Sequence, residues 1–334
     1  MSNKERYAYA VGRIRAMETR LLDRSKIERM VEARSAEEAL KVLGETEYGE
    51  YLAEFDSVHG YEAMLDLELR RIYLELRRIS PEPELINLFA LKFDYHNLKV
   101  IFKAHKMGEK RDDLLAAEVG NIPVSELARA VSDDDYKNLP PKMRQAAERL
   151  SEAFRVETDP QLVDLWLDHA MYEEILEKAD SFDSPFIKQY FTYLLDLTNI
   201  KTYLRVKRAN RSKEFLEAAL LPAGSLDMTK LVQPAEPLEV LVDRLMWGSY
   251  SHVIEEGIQS YHKTDMLTRY EKLADDFLIK HIRQAKYLTF GPEPLAAYIL
   301  AKENELKMLR IVMVGKINRL PTEEIKERLR DVYV

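Results

Sequence analysis

The chain contains no cysteine in 334 residues, which excludes disulfides, thiol nucleophiles and cysteine-ligated zinc together and suits a reducing compartment. Glycine and proline are scarce, at 11 and 13, too few for the many turns of a β-sandwich or for a low-complexity tether. No run approaches the ~18 uninterrupted apolar residues of a membrane-spanning helix. The first twenty residues, MSNKERYAYAVGRIRAMETR, carry charges every few positions and lack the apolar centre of a secretory leader. A basic excess is missing too: 50 Lys and Arg stand against 58 Asp and Glu, a net charge of −8. A nucleic-acid binder, which needs a dominant positive surface, is therefore not expected.

Signatures of catalysis are equally sparse. A phosphate loop of the form GxxxxGK[ST] is absent, since Gly315-Lys316 has neither the earlier glycine nor a following Ser or Thr. The seven histidines (59, 96, 105, 169, 252, 262 and 281) never form HExxH, and Asp133-Asp134-Asp135 lacks the Gly and later Glu of a calcium loop. No catalytic, cofactor-binding or metal-ligating residue is assigned, and a non-enzymatic role is expected.

What remains is helix-forming. With 46% hydrophobic and 32% charged residues, the chain reads as all-α, and its central feature is a segment used three times. Residues 62–107, 164–209 and 271–315 each run from an acidic helix start, through a turn marked by a proline (Pro83, Pro185, Pro292), into a second apolar helix with a basic end. The proline always falls 21 residues after the first acid (Glu62, Asp164, Glu271). The period of roughly 100 residues is far longer than that of an open solenoid, and it predicts three domains: 1–120, 121–224 and 225–334.

Columns inside the repeat suggest roles. An acid stands 17 residues before each proline (Asp66, Asp168, Asp275), and with the acid one turn earlier it reads as helix-start electrostatics. Eleven residues after the proline comes another acid (Asp94, Asp196, Glu303). Asn97 aligns with Asn199, Lys99 with Lys201, and Lys103 with Arg205; the third copy loses one residue before Lys307, so Asn304 leaves the amide column. A polar set recurring on an apolar helix reads as an interhelix hydrogen-bond network, because buried polar groups must be satisfied. The basic ends (Lys99, Lys103, Lys201, Arg205, Lys307, Arg310) solvate a surface, or face an acidic partner or anionic headgroups. Ser25/Glu28 and Ser35/Glu38 have capping-box spacing, and Asp159-Pro160 reads as an N-cap followed by a first-turn proline.

YAYAVGRIRAMETRLL (7–22), FALKFDYHNLKVIFKAHKMG (89–108) and GPEPLAAYILAKENELKMLRIVMVGKINRLPTEEIKERLR (291–330) together resemble the C subunits of prokaryotic A/V-type rotary ATPases, a family related to the d subunit of eukaryotic vacuolar ATPases. The resemblance implies three similar domains around a pseudo-threefold axis, funnel-shaped with a central hollow. It also implies a non-catalytic role on the cytoplasmic side of the membrane, seated on the proteolipid ring and receiving the central-stalk subunits. The six basic residues are then expected at partner contacts. A stand-alone helical scaffold that binds a soluble partner in a cleft is the alternative.

Overall fold

The computed structural model describes residues 5–52, 57–116, 118–156, 159–222, 224–231, 233 and 235–334, and every regular element among them is helical. The order begins α1 (Ala8–Glu18), α2 (Arg24–Glu32), α3 (Ala36–Leu43), α4 (Gly49–Leu52) and α5 (Tyr61–Ile79). It continues with α6 (Pro83–Met107), α7 (Val124–Ser132), α8 (Pro141–Phe154), α9 (Gln161–Asp180), α10 (Pro185–Arg208) and α11 (Lys213–Ala219). The remaining helices are α12 (Met228–Leu231), α13 (Leu238–Leu245), α14 (Ser251–Thr264), α15 (Thr268–Ile282), α16 (Glu293–Ile317) and α17 (Thr322–Arg328). The stretch expected to be helical over 228–245 contains Val232 and Pro234, which lie outside the described residues.

Two compact units emerge, one formed by Met1–Pro81 with Asp227–Val334 and the other by Glu82–Leu226. The boundary falls inside the first repeat copy, so α5 belongs to one unit and α6 to the other.

In the first unit α16 is the core. It is buried on nearly every side, from Leu295 through Val312, and α1, α2, α3, α5, α15 and α17 pack around it. An all-round apolar sequence has no amphipathic stripe to read, which is what a central helix looks like. Around it α5 buries Met64, Leu65, Leu69, Ile72, Tyr73 and Leu76, one face at a spacing of three to four.

In the second unit α9 packs against α6, α8 and α10, while α7 covers α6. The aromatics six residues after the first two marker prolines meet there: Phe89 and Phe191 stack with ring centroids 5.5 Å apart. Pro83 and Pro185 each occupy a first helical position, where a missing N–H costs nothing, and Ser184 caps α10 by accepting from the Ile187 N–H.

Helix starts differ from expectation at two points. Ser35 caps α3, accepting from Glu38 N at 3.3 Å, and Glu38 answers by accepting from Arg34 N at 2.8 Å. At α2, however, the cap is Asp23, which accepts from Lys26 N, so Ser25 lies already inside the helix. Pro160 is itself the cap residue of α9, and Asp159 accepts from Gln161 N at 2.9 Å. An aspartate's shorter reach to the second N–H wins in both cases.

Candidate functional site

The repeated acids and cations find one another across helices of different copies. Lys99 and Lys103 on α6 point to α9, where Lys99 Nζ lies 2.6 Å from Asp168 and Lys103 Nζ 2.7 Å from both oxygens of Asp164. Arg310 on α16 reaches α5 in the same way, 2.9 Å from Glu62 and 3.1 Å from Asp66. Each joint also holds a phenol–carboxylate bond: Tyr95 donates to Glu174 at 2.7 Å across α6/α9, and Tyr73 donates to Glu303 at 2.6 Å across α5/α16. Burial and the Glu174 charge hold the Tyr95 phenol well above its ordinary pKa, so it stays a donor.

Helix-start electrostatics is therefore the lesser role of the acid column, whose members act as anchors for a neighbouring copy. The third copy departs from the rule. Its one-residue deletion turns Lys307 onto Asp275 of its own α15, where Arg330 joins at 2.8 Å, and leaves Arg310 alone to hold both acids of α5. Of the six cations expected at partner contacts, Lys99, Lys103, Lys307 and Arg310 are thus engaged within the chain. Lys201 is half-buried and Arg205 exposed on α10.

The buried Asp and Asn columns clamp backbone, not helices. Asp94 accepts from Asn121 N at 2.7 Å and Ile122 N at 2.9 Å, and Asp196 accepts from Leu226 N at 3.0 Å and from the Ser225 hydroxyl. Asn97 donates to Ala116 O at 3.2 Å and accepts from Ala116 N at 2.8 Å; Asn199 does the same with Leu221, at 3.0 and 2.8 Å. The sequence pattern predicts an interhelix network, yet unpaired loop amides are the stronger claim on a buried carboxylate or amide. Gly120 and Gly224 complete the device. A Cβ at either would fall 2.3 or 2.2 Å from the carboxylate oxygen of Asp94 or Asp196, so only glycine lets the loop come close enough. Asn304, out of register, still holds the segment that follows its helix, donating to Asp331 O at 2.9 Å.

Sequence reasoning missed a charged cluster inside the first unit. The Lys302 ammonium, with a fully buried side chain, lies 2.5 Å from Glu47, 2.9 Å from Glu68 and 2.7 Å from Glu305. Arg71 holds Glu68 at 2.7 Å, Tyr48 donates to Glu305 at 2.6 Å, and Glu305 also accepts from Leu22 N at 2.5 Å. Burial opposes charge on Glu68, but the Arg71 hydrogen bond and Lys302 outweigh it and lower its pKa. Burial likewise opposes charge on Lys302, and Glu305 with its neighbours outweighs that, so its pKa rises well above the ordinary lysine value. The available signal was the run Lys302-Glu303-Asn304-Glu305 in an otherwise apolar helix.

This arrangement ties helices together and places no nucleophile near an acid–base pair. Among the described residues no group of three or more His, Asp or Glu side chains is disposed to hold a metal ion, and no helix is long and apolar enough to cross a membrane.

Comparison with known proteins agrees on one family. Residues 10–328 match the family model described as "ATP synthase (C/AC39) subunit". The chain is 28% identical over 322 residues to the C subunit of the V-type sodium ATPase of Enterococcus hirae, covering 96% of this chain and 97% of that one. It is also 28% identical over 348 residues to the C subunit of the A-type ATP synthase of Methanocaldococcus jannaschii, covering 97% and 86% respectively. The corresponding protein of Pyrococcus furiosus is 24% identical over 351 residues, covering 98% and 90%. A match along nearly the whole chain, on a fold whose repeat copies are bolted to one another, places the protein in the ATP synthase (C/AC39) subunit family.

Proposed function

We propose that this rotary-ATPase subunit is a non-catalytic adapter of the rotor, seated on the membrane proteolipid ring on its cytoplasmic face and receiving the foot of the central stalk. Torque then passes through it between the catalytic head and the ring, during ATP synthesis or ATP-driven ion transport. The observation that carries the reading is the jointing of copies: α6 to α9 and α16 to α5 through repeated ion pairs, each with a buried tyrosine–carboxylate bond. A part under torsion has to resist sliding between its repeats, and directional bonds at packed joints supply that stiffness where apolar contact alone does not. The division into three helical repeats, 1–120, 121–224 and 225–334, belongs to the same proposal, as does contact of the six basic residues with the stalk.

The test is affinity purification of the tagged full chain from detergent-solubilised membranes of its host. Recovery of both the proteolipid ring and the central-stalk subunits is expected, and ATP-driven ion transport should be lost when the chain is depleted and return on adding it back. Recovery of neither component sinks the proposal.

A further inference from the structure

The turn between the two helices of the repeat is built differently in the third copy. In the first copy it is Ser80-Pro81-Glu82, with the serine buried; in the second, Phe182 turns inward and Asp183 outward. In the third, Tyr287 is 88% exposed, Phe290 45% and Leu288 37%. Isolated apolar side chains on a surface need no explanation, but three within four residues at a helix-hairpin tip do.

The tip is held in place by hydrogen bonds and backbone geometry. Arg15 of α1 donates through one Nη to Ala285 O at 2.8 Å and to Leu288 O at 2.7 Å, and its other Nη is fixed on Glu18 at 2.8 Å. Tyr333 donates to Glu18 at 2.9 Å, and Arg283 donates to Val332 O. Gly291 turns the chain at φ +107°, where the buried Glu293 leaves no room for a Cβ. The aromatics are presented on a fixed base, so little ordering cost remains at docking.

Charge singles out the occupant. From Phe277 to Pro292 there is no Asp or Glu, while Lys280, Arg283 and Lys286 stand in that stretch of a chain carrying net −8. The acids beneath are engaged: Asp331 with Arg283 at 3.5 Å, and Glu18 with Arg15 and Tyr333. The exposed apolar area is only a few hundred Å², well short of the ~800 Å² per side of a stable protein–protein interface. A small aromatic tip on a basic collar suits the headgroup layer of an anionic bilayer, where Tyr and Phe rings settle at the interface and cations meet lipid charge.

We infer that the tip Lys286–Phe290 docks on an anionic lipid surface. This rests on the reading that the chain works against the membrane, and it adds a direct lipid contact on one repeat of three.

The experiment is co-sedimentation of the full chain with vesicles of phosphatidylcholine alone or with about one-third phosphatidylserine, comparing wild type with Y287S/F290S. Wild type should bind the phosphatidylserine vesicles and release them as salt rises. The double variant should bind on the order of tenfold more weakly for each aromatic removed, with unchanged thermal unfolding, because both rings lie outside the core. Equal binding to the two vesicle types, or undiminished binding by the variant, overturns the inference. Purification of the same variant from membranes separates the two readings. A variant that loses vesicles yet retains ring and stalk supports the lipid tip and leaves the adapter role intact. Wild type that retains ring and stalk but ignores anionic vesicles sinks the tip alone. A variant that binds vesicles normally but loses the ring makes the tip a protein contact and also overturns the inference.

Discussion

Replacing Lys302 with methionine removes one charge from the core while nearly preserving volume. Three carboxylates converge on that ammonium within 2.9 Å, and two of them, Glu68 and Glu305, are almost wholly buried. Arg71 offsets Glu68 in part, so the variant strands about one uncompensated carboxylate in a low-dielectric site. Breaking a buried pair from one side costs roughly 3–5 kcal/mol, a factor of about 10² to 10³·⁵ in the folding equilibrium. For a unit of about 190 residues, that corresponds to a fall in Tm on the order of 10 °C.

The pH dependence gives the sharper check. In wild type the lowered pKa of Glu68 contributes stability that is present above the unfolded carboxylate value near ~4.3 and lost as pH falls through the lower folded value. In Lys302→Met the stranded carboxylate has a raised pKa. Its penalty is then full at neutral pH and shrinks as pH falls toward the unfolded value. Urea unfolding of both proteins between about pH 4.5 and 7.5 should show the two stabilities converging on the acid side. A difference below ~1 kcal/mol at neutral pH, or one that does not change with pH, refutes the claim that Lys302 neutralises dry carboxylates.

Tyr48→Phe removes one donor from Glu305 and should cost about 1–3 kcal/mol in urea unfolding, less than Lys302→Met because the ammonium remains. Asp94→Ala strands the amides of Asn121 and Ile122 and should cost about 2–4 kcal/mol; Gly120→Ala drives a methyl into the same carboxylate and should destabilise comparably, which thermal unfolding will measure. The exchange K99D/D168K keeps the half-buried pair while reversing its polarity. If Lys99 serves only as a joint, stability should stay within ~1 kcal/mol of wild type and stalk binding should not change. If it also meets the stalk, binding should weaken in a salt-dependent way at unchanged stability.

The repeat was legible in the sequence because its markers are local. Prolines at helix starts, acids at fixed offsets and apolar columns all act within one or two turns, and the helices lie where those signals place them. What the columns do was less legible. Asp168 reads as a helix-start acid until Lys99 is seen opposite it, since a one-dimensional pattern gives the residue type a position requires but not which copy supplies its partner. The glycines at 120 and 224 carried a usable signal, each standing 26 to 28 residues after the aspartate it accommodates. That signal depends on a loop folding back, and helical periodicity contains no term for it. Trp166 shows the reverse failure. It occupies the column of Met64 and Leu273, both buried, yet it lies half-exposed beneath the Arg149 guanidinium, 3.9 Å from the ring centroid.

The buried cluster was least legible, because its members come from Glu47, Glu68 and residues 302–305, and no local rule brings them together. Its location matters to the proposed role. A wholly apolar core around α16 tolerates small rotations of that helix, since dispersion contacts exchange for one another at little cost. An ammonium held by three carboxylates does not, because displacement of about 1 Å leaves buried charge unpaired. The cluster thus fixes the register of the central helix against α5 and the Glu47–Tyr48 turn. It does so on the same helix that carries Arg310 to the acids of α5. Specificity of register, more than gross stability, is what a torque-bearing helix requires of its core. In Lys302→Met, hydrogen exchange of α16 amides should therefore rise more than the loss of global stability accounts for.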